Sequence, residues 1–424
     1  MRYAVVTFGC RVNQADSLSF EEELIAAGAT AAPAEAADLV VVNTCSVTAT
    51  ADQGARQTIR RIARDNPAAR IIVTGCYATR RPEEIAALPN VAQIVCNDDK
   101  PKLIPLISLT SAASVAEASS SGDGPCGAAI EPGIAGRTAF TLRVQTGCAE
   151  SCSYCIIPST RGAPRSVPLA HLLREVQRVV SAGFKEIALT GVHLGSWGRD
   201  FVPRSSLVEL LQALDRAPAS RERRVVFRIS SLEPMDCSRE IVDLVAWSDC
   251  YAPHFHLPLQ HASDRVLAAM RRPYTIEYYM RLVDGIRAMI PDAAIGTDVI
   301  VGFPGETNDD FEQLATYLEH SPLTHVHVFP YSDRPGTVAS TLGDRASGAT
   351  VRERARRVRE IGQRLAQRFR DSQIGTTHRA LTLEDGSLVV TGNYLKVRIP
   401  PGHARNEWVR VGIRSHDQGE LLAG

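Results

Sequence analysis

Three cysteines lie within eight residues in the middle of the chain, in the pattern Cys148-x3-Cys152-x2-Cys155. The apolar run Phe140–Gln145 before them predicts a strand, and leucines and valines at helical spacing after them predict a helix. A loop between a strand and a helix can direct three thiolates at one ion or cluster only if it wraps around that group. This part of the chain is therefore predicted to fold as a strand–loop–helix unit around a bound ligand.

The number of thiolates separates two kinds of metal site. A structural zinc ion takes four protein ligands, so zinc would need a further residue such as His171 or His193. Three thiolates suffice to hold a four-iron cluster, and they leave one iron open to an exogenous molecule. The pattern favours an iron–sulfur cluster, and zinc is the alternative.

A second set of cysteines lies in the N-terminal third, where apolar runs alternate with amphipathic stretches as in a parallel sheet with crossover helices. The predicted strands and the cysteines that follow them are Tyr3–Phe8 with Cys10, Asp38–Asn43 with Cys45, and Arg70–Gly75 with Cys76. Ligands bind at the carboxyl edge of open α/β sheets, which all three cysteines share. One such cysteine would be interpreted as a core residue, but three at equivalent places predict a common metal site.

Properties of the whole chain indicate its compartment. No apolar run approaches the ~18 residues of a membrane span, and the apolar run at the start of the chain is too short for a secretory signal. We therefore expect a cytoplasmic protein with no membrane partner. In a reducing compartment its ten cysteines indicate metal ligation or catalysis rather than disulfides. Four of them lack partners at metal-site spacing and are predicted to be structural: Cys96, Cys126, Cys237 and Cys250.

The fold class is predicted to be α/β, in three structural units. Residues 1–107 form an open parallel α/β domain, and the Ser-, Ala- and Gly-rich segment 108–136 is a flexible linker. Residues 137–371 form a partial (β/α)6 barrel, because a full eight-unit barrel needs about 250 residues. Residues 372–424 form a small all-β barrel. The six central strands are predicted at Phe140–Gln145, Glu186–Thr190, Val225–Ile229, His254–Leu257, Ala294–Val301 and Thr324–Phe329.

The loops after the central strands carry further candidates, because chemistry in such barrels takes place at the C-terminal strand ends. Gly191 follows the second strand, and the absence of a side chain there lets a ligand approach the backbone closely. Gln260 lies in the loop after the fourth strand. Several histidines alternate along the strands, and we interpret most of them as structural: His254, His256, His261, His325 and His327.

Charge is distributed unevenly along the chain. The 47 basic and 47 acidic residues balance overall, which excludes a uniformly basic nucleic-acid coat. From Val351 to Gly424, however, 14 Lys and Arg against 8 Asp and Glu give a net charge of +6. Arginine suits phosphate, and aromatic side chains stack on unpaired bases, so this end is predicted to bind RNA. The residues assigned to that surface are Arg352, Arg354, Arg356, Arg357, Arg359, Arg364, Arg368, Arg370, Tyr394, Lys396, Arg398, Trp408 and Arg410.

Together these motifs resemble the radical S-adenosylmethionine (SAM) methylthiotransferases, which have an N-terminal cluster domain, a radical SAM domain and a TRAM domain. The central triplet, with Tyr154 before its last cysteine, resembles the radical SAM signature. The segments Gly9–Asn13 and Asn43–Thr48 resemble the branch that acts on threonylcarbamoyladenosine in tRNA, the MtaB type. The chain departs from the family at Gln260–Ser263, where Gln-Ser-Gly-Ser is usual.

The resemblance implies the cofactors. The central triplet would hold one [4Fe-4S] cluster, whose open iron binds SAM and whose electron cleaves it to a 5′-deoxyadenosyl radical. The three N-terminal cysteines would hold a second [4Fe-4S] cluster that presents sulfur. Tyr154, Gly191 and Gln260 would contact SAM, and no residue is assigned as a catalytic acid or base.

The implied reaction replaces the C2 hydrogen of N6-threonylcarbamoyladenosine, at tRNA position 37 beside the anticodon, with a methylthio group. One SAM would methylate sulfur and a second would supply the radical. The implied partners are the tRNA anticodon stem-loop, an electron donor such as flavodoxin or ferredoxin, and a sulfur donor. The alternatives are the same chemistry on isopentenyladenosine in tRNA or on a ribosomal-protein aspartate, and, outside enzymes, an iron–sulfur carrier or electron-transfer protein.

The two adenosine substrates require different pockets. Threonylcarbamoyl carries a carboxylate that isopentenyl lacks, so its pocket should offer a cation or several hydrogen-bond donors. The candidate donors are Arg161 and Arg165 after the triplet, and Arg271 and Arg272 after the fourth central strand.

Overall fold

A computed structural model of the chain describes residues 1–109, 131–132, 138–222, 225–417 and 420–423. The predicted linker, residues 108–136, lies almost wholly outside these ranges, as does Cys126. Among the described residues, no helix has both the length and the apolar character needed to cross a membrane. The predicted α/β fold class is confirmed.

The N-terminal residues form a five-stranded sheet in which all neighbouring strands are parallel. Its central strand, Leu39–Thr44, is buried at every position, which explains its unbroken run of valines. Apolar cores lie on both faces of the sheet. In spatial order the strands are Thr30–Ala31, Arg2–Thr7, Leu39–Thr44, Arg70–Gly75 and Val91–Val95.

The first helix, Arg11–Ala26, begins directly after Cys10, whereas the apolar pattern alone predicts a helix over Ser17–Gly28. Its first turns bury the polar side chains of Asn13 and Asp16 beside one apolar side chain, Val12. Hydrogen bonds satisfy these polar groups, as described below. The spacing of apolar residues in the sequence therefore does not indicate that this part of the helix is buried.

The central residues form the six predicted parallel strands, which curve into a partial barrel. Two three-stranded sheets are joined by a parallel bridge between Ser231 and His256. The main apolar core lies between these strands and the surrounding helices. The strands span Phe140–Arg143, Glu186–Thr190, Val226–Ile229, His254–His256, Ala294–Val301 and His325–Pro330, with a short antiparallel pair at Gln145–Thr146 and Arg165–Ser166.

Helices cover the outer faces of both parallel sheets and lead into the C-terminal barrel. The helices are Arg11–Ala26, Ala49–Asp65, Cys76–Arg80, Pro82–Ala86, Leu103–Leu109, Ile157–Arg161, Leu169–Ser181, Leu207–Arg216, Pro218–Glu222, Arg239–Trp247, Asp264–Ala269, Ile276–Met289, Asn308–His320 and Gly348–Ser372. Single 3-10 turns span Ala34–Ala36, Asn97–Lys102, Leu194–Ser196, Pro234–Asp236 and Val338–Thr341.

The C-terminal residues close into a five-stranded barrel. The apolar pattern predicts one strand over Leu388–Ile399, but this segment is a hairpin, because the chain turns at Tyr394, whose φ of 65° lies in the left-handed region. The barrel strands are Thr377–Leu383, Leu388–Thr391, Lys396–Arg398, Trp408–Asp417 and Glu420–Ala423.

The hairpin turn fixes the C-terminal barrel to the rest of the molecule. Buried Arg228 of the central barrel donates to the carbonyl of Gly392 at 2.8 Å, and its guanidinium lies 4.6 Å from the Tyr394 ring centre. Arg11 of the N-terminal unit donates to the Tyr394 hydroxyl at 3.2 Å. One tyrosine therefore contacts both other units.

Candidate functional site

The three N-terminal cysteines meet at the carboxyl edge of the first sheet, as predicted. Cys45 and Cys76 are buried and Cys10 is exposed. Gly9 has a φ of 88°, and a Cβ on it would lie 2.5 Å from the Cβ of Cys45, so only glycine permits this approach. Sequence and backbone thus bring the three thiols together at one exposed edge.

Hydrogen-bond donors surround these sulfurs. The amide N–H of Val47 lies 3.5 Å from Cys45 Sγ, and Asn97 Nδ2 lies 3.7 Å from Cys76 Sγ. Burial raises the pKa of Cys45 to about 11, although the Val47 amide opposes that shift. The thiol is protonated at neutral pH in the absence of a metal, and N–H donors would stabilise the thiolate form once a metal binds.

A buried charge network lies beneath the N-terminal thiols. Asp16, 3% exposed, accepts from Lys100 Nζ at 2.6 Å and lies 3.5 Å from Arg161. Arg143 pairs with the same carboxylate. Asn13 accepts from Arg161 and donates to the carbonyl of Phe8 at 2.8 Å. Since two of the arginines belong to the central barrel, this network joins the barrel to the cysteine-bearing edge.

The central triplet also has donors directed at its sulfurs. The amide of Glu150 lies 3.4 Å from Cys148 Sγ, and Arg272 Nη1 lies 3.1 Å from Cys152 Sγ. Burial raises the pKa of Cys155 to about 12. The loop therefore wraps around a point toward which sulfurs and positive donors converge.

His193, considered above as a zinc ligand, lies beside Cys148; Asp236 holds its Nε2 at 2.7 Å, and Glu150 Oε1 lies 3.6 Å from its Nδ1. Burial lowers the pKa of His193, but Asp236 and the Cys148 thiol raise it to about 10. The ring is therefore a charged donor toward the sulfur at neutral pH.

The spacing of the sulfurs distinguishes a cluster from a single ion. Tetrahedral zinc holds its thiolates about 3.8 Å apart, given a Zn–S bond of about 2.3 Å. Among the described residues, neither cysteine triplet, alone or with a histidine, places three ligand atoms within 4.8 Å of one another. Neither triplet is therefore arranged around a single tetrahedral ion.

A small cavity of about 200 Å³ adjoins Cys155. Tyr154 and Gln260 line it from the central barrel, and Val47 and Thr48 line it from the N-terminal unit. Two of the three residues assigned to SAM therefore lie together beside the triplet.

A larger cavity of about 860 Å³, called here the shared cavity, is lined by all three units. Cys10 and Arg11 come from the N-terminal edge, Gly191 from the loop after the second central strand, and Tyr394 from the C-terminal barrel. The small cavity beside Cys155 and the shared cavity beside Cys10 therefore have lining residues in common, among them Val47 and Ile157.

Basic and imidazole side chains outnumber acidic ones in the lining of the shared cavity. Among the described residues, Asp298 is the only acidic residue of this lining. The basic and imidazole residues of the lining are Arg11, Arg161, Arg370, His254, His256, His325 and His327. Sequence analysis assigned these histidines to structural roles and missed their convergence, which the alternation of His254 with His256 and of His325 with His327 could have signalled.

The four predicted carboxylate donors are placed differently. Arg161 and Arg272 are buried and already paired, with Asp16 and with Glu233 respectively. Arg165 is exposed and pairs with Asp98 at 2.8 Å. Arg271 is exposed, and of the four arginines only Arg161 lines the shared cavity.

The arginine-rich helix Gly348–Ser372 also differs from the expectation of a phosphate-binding face. Buried Arg354 pairs with Glu306 at 2.9 Å. Others pair on the surface: Arg356 with Glu353 and Glu360, Arg357 with Glu312, and Arg364 with Glu319. Much of the predicted excess charge is therefore used within the protein.

Two family models match this chain. Residues 2–97 match "Uncharacterized protein family UPF0004", and residues 142–318 match the radical SAM superfamily. The radical SAM methyltransferase TsrM from Kitasatospora setae, solved with cobalamin and a [4Fe-4S] cluster, covers 80% of this chain and 74% of its own at a TM-score of 0.55 and 15% identity. That likeness shows the fold alone.

Curated proteins are similar over nearly the whole length. The threonylcarbamoyladenosine tRNA methylthiotransferase MtaB of Aquifex aeolicus is 36% identical over 94% of this chain and 96% of its own. MtaB of Thermotoga maritima is 36% identical over 89% and 85%. The tRNA-2-methylthio-N(6)-dimethylallyladenosine synthase of Chloroflexus aurantiacus is 35% identical over 90% and 81%.

The fold, the radical SAM family match and the methylthiotransferase relatives define a radical SAM enzyme, with [4Fe-4S] and SAM as its cofactors. More narrowly, the chain belongs to the radical SAM tRNA methylthiotransferase family. It is thus a transferase, which overturns the alternative of an iron–sulfur carrier or electron-transfer protein.

Proposed function

We propose that this enzyme methylthiolates C2 of N6-threonylcarbamoyladenosine at position 37 of tRNA, using two SAM and two [4Fe-4S] clusters. One observation carries the proposal: Cys10 of the N-terminal triplet and Gly191 of the radical SAM barrel line the same cavity of about 860 Å³. A substrate in that cavity would meet both sites. A reaction that needs a radical source and a sulfur source requires this juxtaposition.

The cysteines are the proposed cluster ligands, and their surroundings fit such groups. Cys148, Cys152 and Cys155 would hold one cluster, and Cys10, Cys45 and Cys76 the other. Among the described residues, neither set has its three sulfurs within 4.8 Å of one another, as a single ion would require. Backbone and side-chain N–H groups point at sulfurs of each set, which stabilises thiolate ligands and tunes a bound cluster.

Tyr154, Gln260 and Gly191 are the proposed SAM contacts. When bound, the central cluster and SAM supply a carbon-centred radical able to attack an unreactive C–H bond. Tyr154 packs against the apolar cluster of Val266 and Met270, so it would present a fixed surface to SAM. Gln260, with a φ of 68°, lies in a bridge to Val299, which holds its position beside Cys155.

Most of the titratable residues that line the shared cavity are basic or imidazole groups. The arginines and histidines of the shared cavity suit an anionic substrate better than an apolar one. This lining and the MtaB relatives favour threonylcarbamoyladenosine over isopentenyladenosine, the substrate class named for the Chloroflexus aurantiacus relative. The anticodon stem-loop would approach from the C-terminal barrel, and a cytoplasmic tRNA substrate implies a cytoplasmic enzyme.

Two further partners follow from the reaction. Reduction of the central cluster needs a one-electron donor, for which flavodoxin or ferredoxin is proposed. Each turnover also consumes a sulfur atom, so a sulfur donor must replenish the N-terminal site.

The test is iron content and SAM cleavage in two triple variants, reconstituted anaerobically. Wild type should bind about eight irons. The variant C148A/C152A/C155A should keep about half and lose SAM cleavage. The variant C10A/C45A/C76A should also keep about half and cleave SAM to 5′-deoxyadenosine, with methylthiolation lost.

Cys96→Ala is the matched control, because Cys96 follows the next strand of the same sheet edge. It should keep the full iron content and activity. Full iron content in C10A/C45A/C76A would disprove the two-cluster assignment.

A further inference from the structure

Two histidines on different strands share one carboxylate inside the shared cavity. His256 Nε2 lies 3.0 Å and His327 Nδ1 lies 3.3 Å from the same atom, Asp298 Oδ1. Asp298 stands opposite His327 in the parallel pairing of their strands. The two imidazoles can thus offset the only acidic charge that the described residues bring to the cavity lining.

The two histidines differ in access to the cavity. The His256 side chain is 11% exposed, whereas that of His327 is 59% exposed. Because Nδ1 of His327 faces Asp298, its Nε2 is the nitrogen left for a ligand. Hydrogen bonding to Asp298 raises the pKa of His327, which favours the imidazolium with N–H donors at both ring positions.

The other cations of the cavity are already hydrogen bonded within the protein. Arg161 is held by Asp16 and Asn13. Arg11 donates one N–H to Tyr394 at 3.2 Å, and Arg370 donates one to Gln367 at 2.7 Å while its buried Nε has no partner. Burial lowers the pKa of His325 to about 4, so that neighbouring ring is neutral. His327 is therefore the exposed imidazole of the cavity that is placed to donate to an anion.

We infer that His327, oriented by Asp298 and His256, binds the carboxylate of the threonylcarbamoyl group and selects this substrate. The inference rests on the proposed function and deepens it by naming the specificity-determining residue. A paired charged hydrogen bond of this kind rejects a substrate that lacks the carboxylate, because the imidazolium then goes unpaired.

Phe329 supplies a second element of the same pocket. It lies two residues beyond His327, so both side chains lie on one face of the strand, about 6.6 Å apart along it. Phe329 is 39% exposed and lines both cavities. An aromatic surface for the adenine beside a cation for its N6 substituent matches the layout of the proposed nucleoside, in which a short urea link separates ring and carboxylate.

A divalent metal ion is the competing occupant. The three side chains place one ligand atom each within 4.8 Å of one another, as in metal sites with two histidines and one carboxylate. The distances of 3.0 and 3.3 Å from one carboxylate oxygen suit hydrogen bonds and ligands of a single ion alike, so the metal content of the protein decides between the two occupants. The experiment therefore includes metal analysis.

The experiment is a competition assay on the reconstituted enzyme, with tRNAs bearing threonylcarbamoyladenosine, its carboxyl methyl ester, or isopentenyladenosine. His327→Phe removes the donor and keeps the ring volume, and His327→Gln restores an N–H near the position of Nε2. His320→Phe is the matched control, because His320 is exposed on an outer helix. Iron per chain reports folding for every variant.

Wild type should prefer the free carboxylate over its ester and over isopentenyl. His327→Phe should lower kcat/KM for threonylcarbamoyl tRNA about 10- to 100-fold, chiefly through KM, and should accept the ester as well as the acid. His327→Gln should recover most of the loss, and His320→Phe should match wild type.

Three results would count against these assignments, and they are distinguishable. Preference of the wild type for isopentenyl tRNA overturns the proposed substrate, and the inference with it. Wild-type preference for the acid that persists in His327→Phe overturns the inference alone. A non-cluster divalent ion that is present in wild type and absent from His327→Phe overturns it in favour of a metal site.

Discussion

Arg161, the last residue of the helix that follows the central triplet, lies close enough to Cys76 of the N-terminal triplet for its positive charge to interact with that thiol. It lies six positions after Cys155 in the sequence and is 3% exposed. The two cysteine sites are therefore connected by one side chain, which is held in place by Asp16 and Asn13.

Replacing Arg161 by alanine should destabilise the folded protein by about 2–4 kcal/mol, because it leaves buried Asn13 and Asp16 short of a donor. Iron in the N-terminal site should fall. Arg165→Ala is the control, since that exposed pair with Asp98 contributes under about 1 kcal/mol. Urea unfolding and iron analysis measure both effects, and equal losses in the two variants would refute the coupling.

Gly9→Ala should disrupt the N-terminal site and spare SAM cleavage. Its Cβ would overlap Cys45 at 2.5 Å on a backbone with φ of 88°, so the strand end must move. Gly54→Ala, whose Cβ would meet only Phe8 at 3.8 Å on a helix, should be stabilising by about 0.5–1 kcal/mol. Unchanged iron content in Gly9→Ala would contradict this account of the edge.

Asp16 should make stability depend on pH in the acid range. Burial raises its pKa, but Lys100, Arg143 and Arg161 lower it to about 2. Because the pKa of Asp16 is lower in the folded protein than in the unfolded chain, where it is about 3.9, the ionised carboxylate stabilises the fold above pH 3.9. This contribution, about 2.5 kcal/mol in all, is lost as the pH falls toward 2.

The stability difference between wild type and Asp16→Asn, measured by denaturant unfolding of the metal-free protein, should therefore shrink between pH 5 and pH 3. A difference that stays constant over this range would show that the carboxylate is not ionised in the fold.

The C-terminal barrel should contribute phosphate contacts through Lys396 and Arg410, which are exposed on its strands. The double alanine variant should bind tRNA more weakly and reduce the slope of log affinity against log salt by about 1 to 2. Arg281→Ala, exposed on the outside of the central barrel, should leave both quantities unchanged. An unaltered slope in the double variant would assign the barrel a purely structural role.

Regular apolar patterns made much of this molecule predictable. All six central strands and the three cysteine-bearing strand ends follow from runs such as Leu39–Thr44, where burial and hydrophobicity coincide. The start of the first helix was missed because Asn13 and Asp16 are buried through hydrogen bonds rather than through apolar contact.

Contacts between distant segments could not be predicted from local patterns. Arg161 reaches Cys76 across two structural units, and Arg354 turns inward to Glu306 instead of outward to solvent. The histidines of the cavity show alternation in the sequence, but only the pairing of Asp298 with His327 gives them a common partner.

Contact between Arg11 and Tyr394 spans 383 positions of the chain, with consequences for how the protein is made. Both cysteine triplets have left the ribosome well before Tyr394 is synthesised. A nascent or prematurely terminated chain would hold the residues for generating radicals while one wall of the substrate cavity is missing. Completing the chain before loading its clusters would spare the cell a radical source without a target.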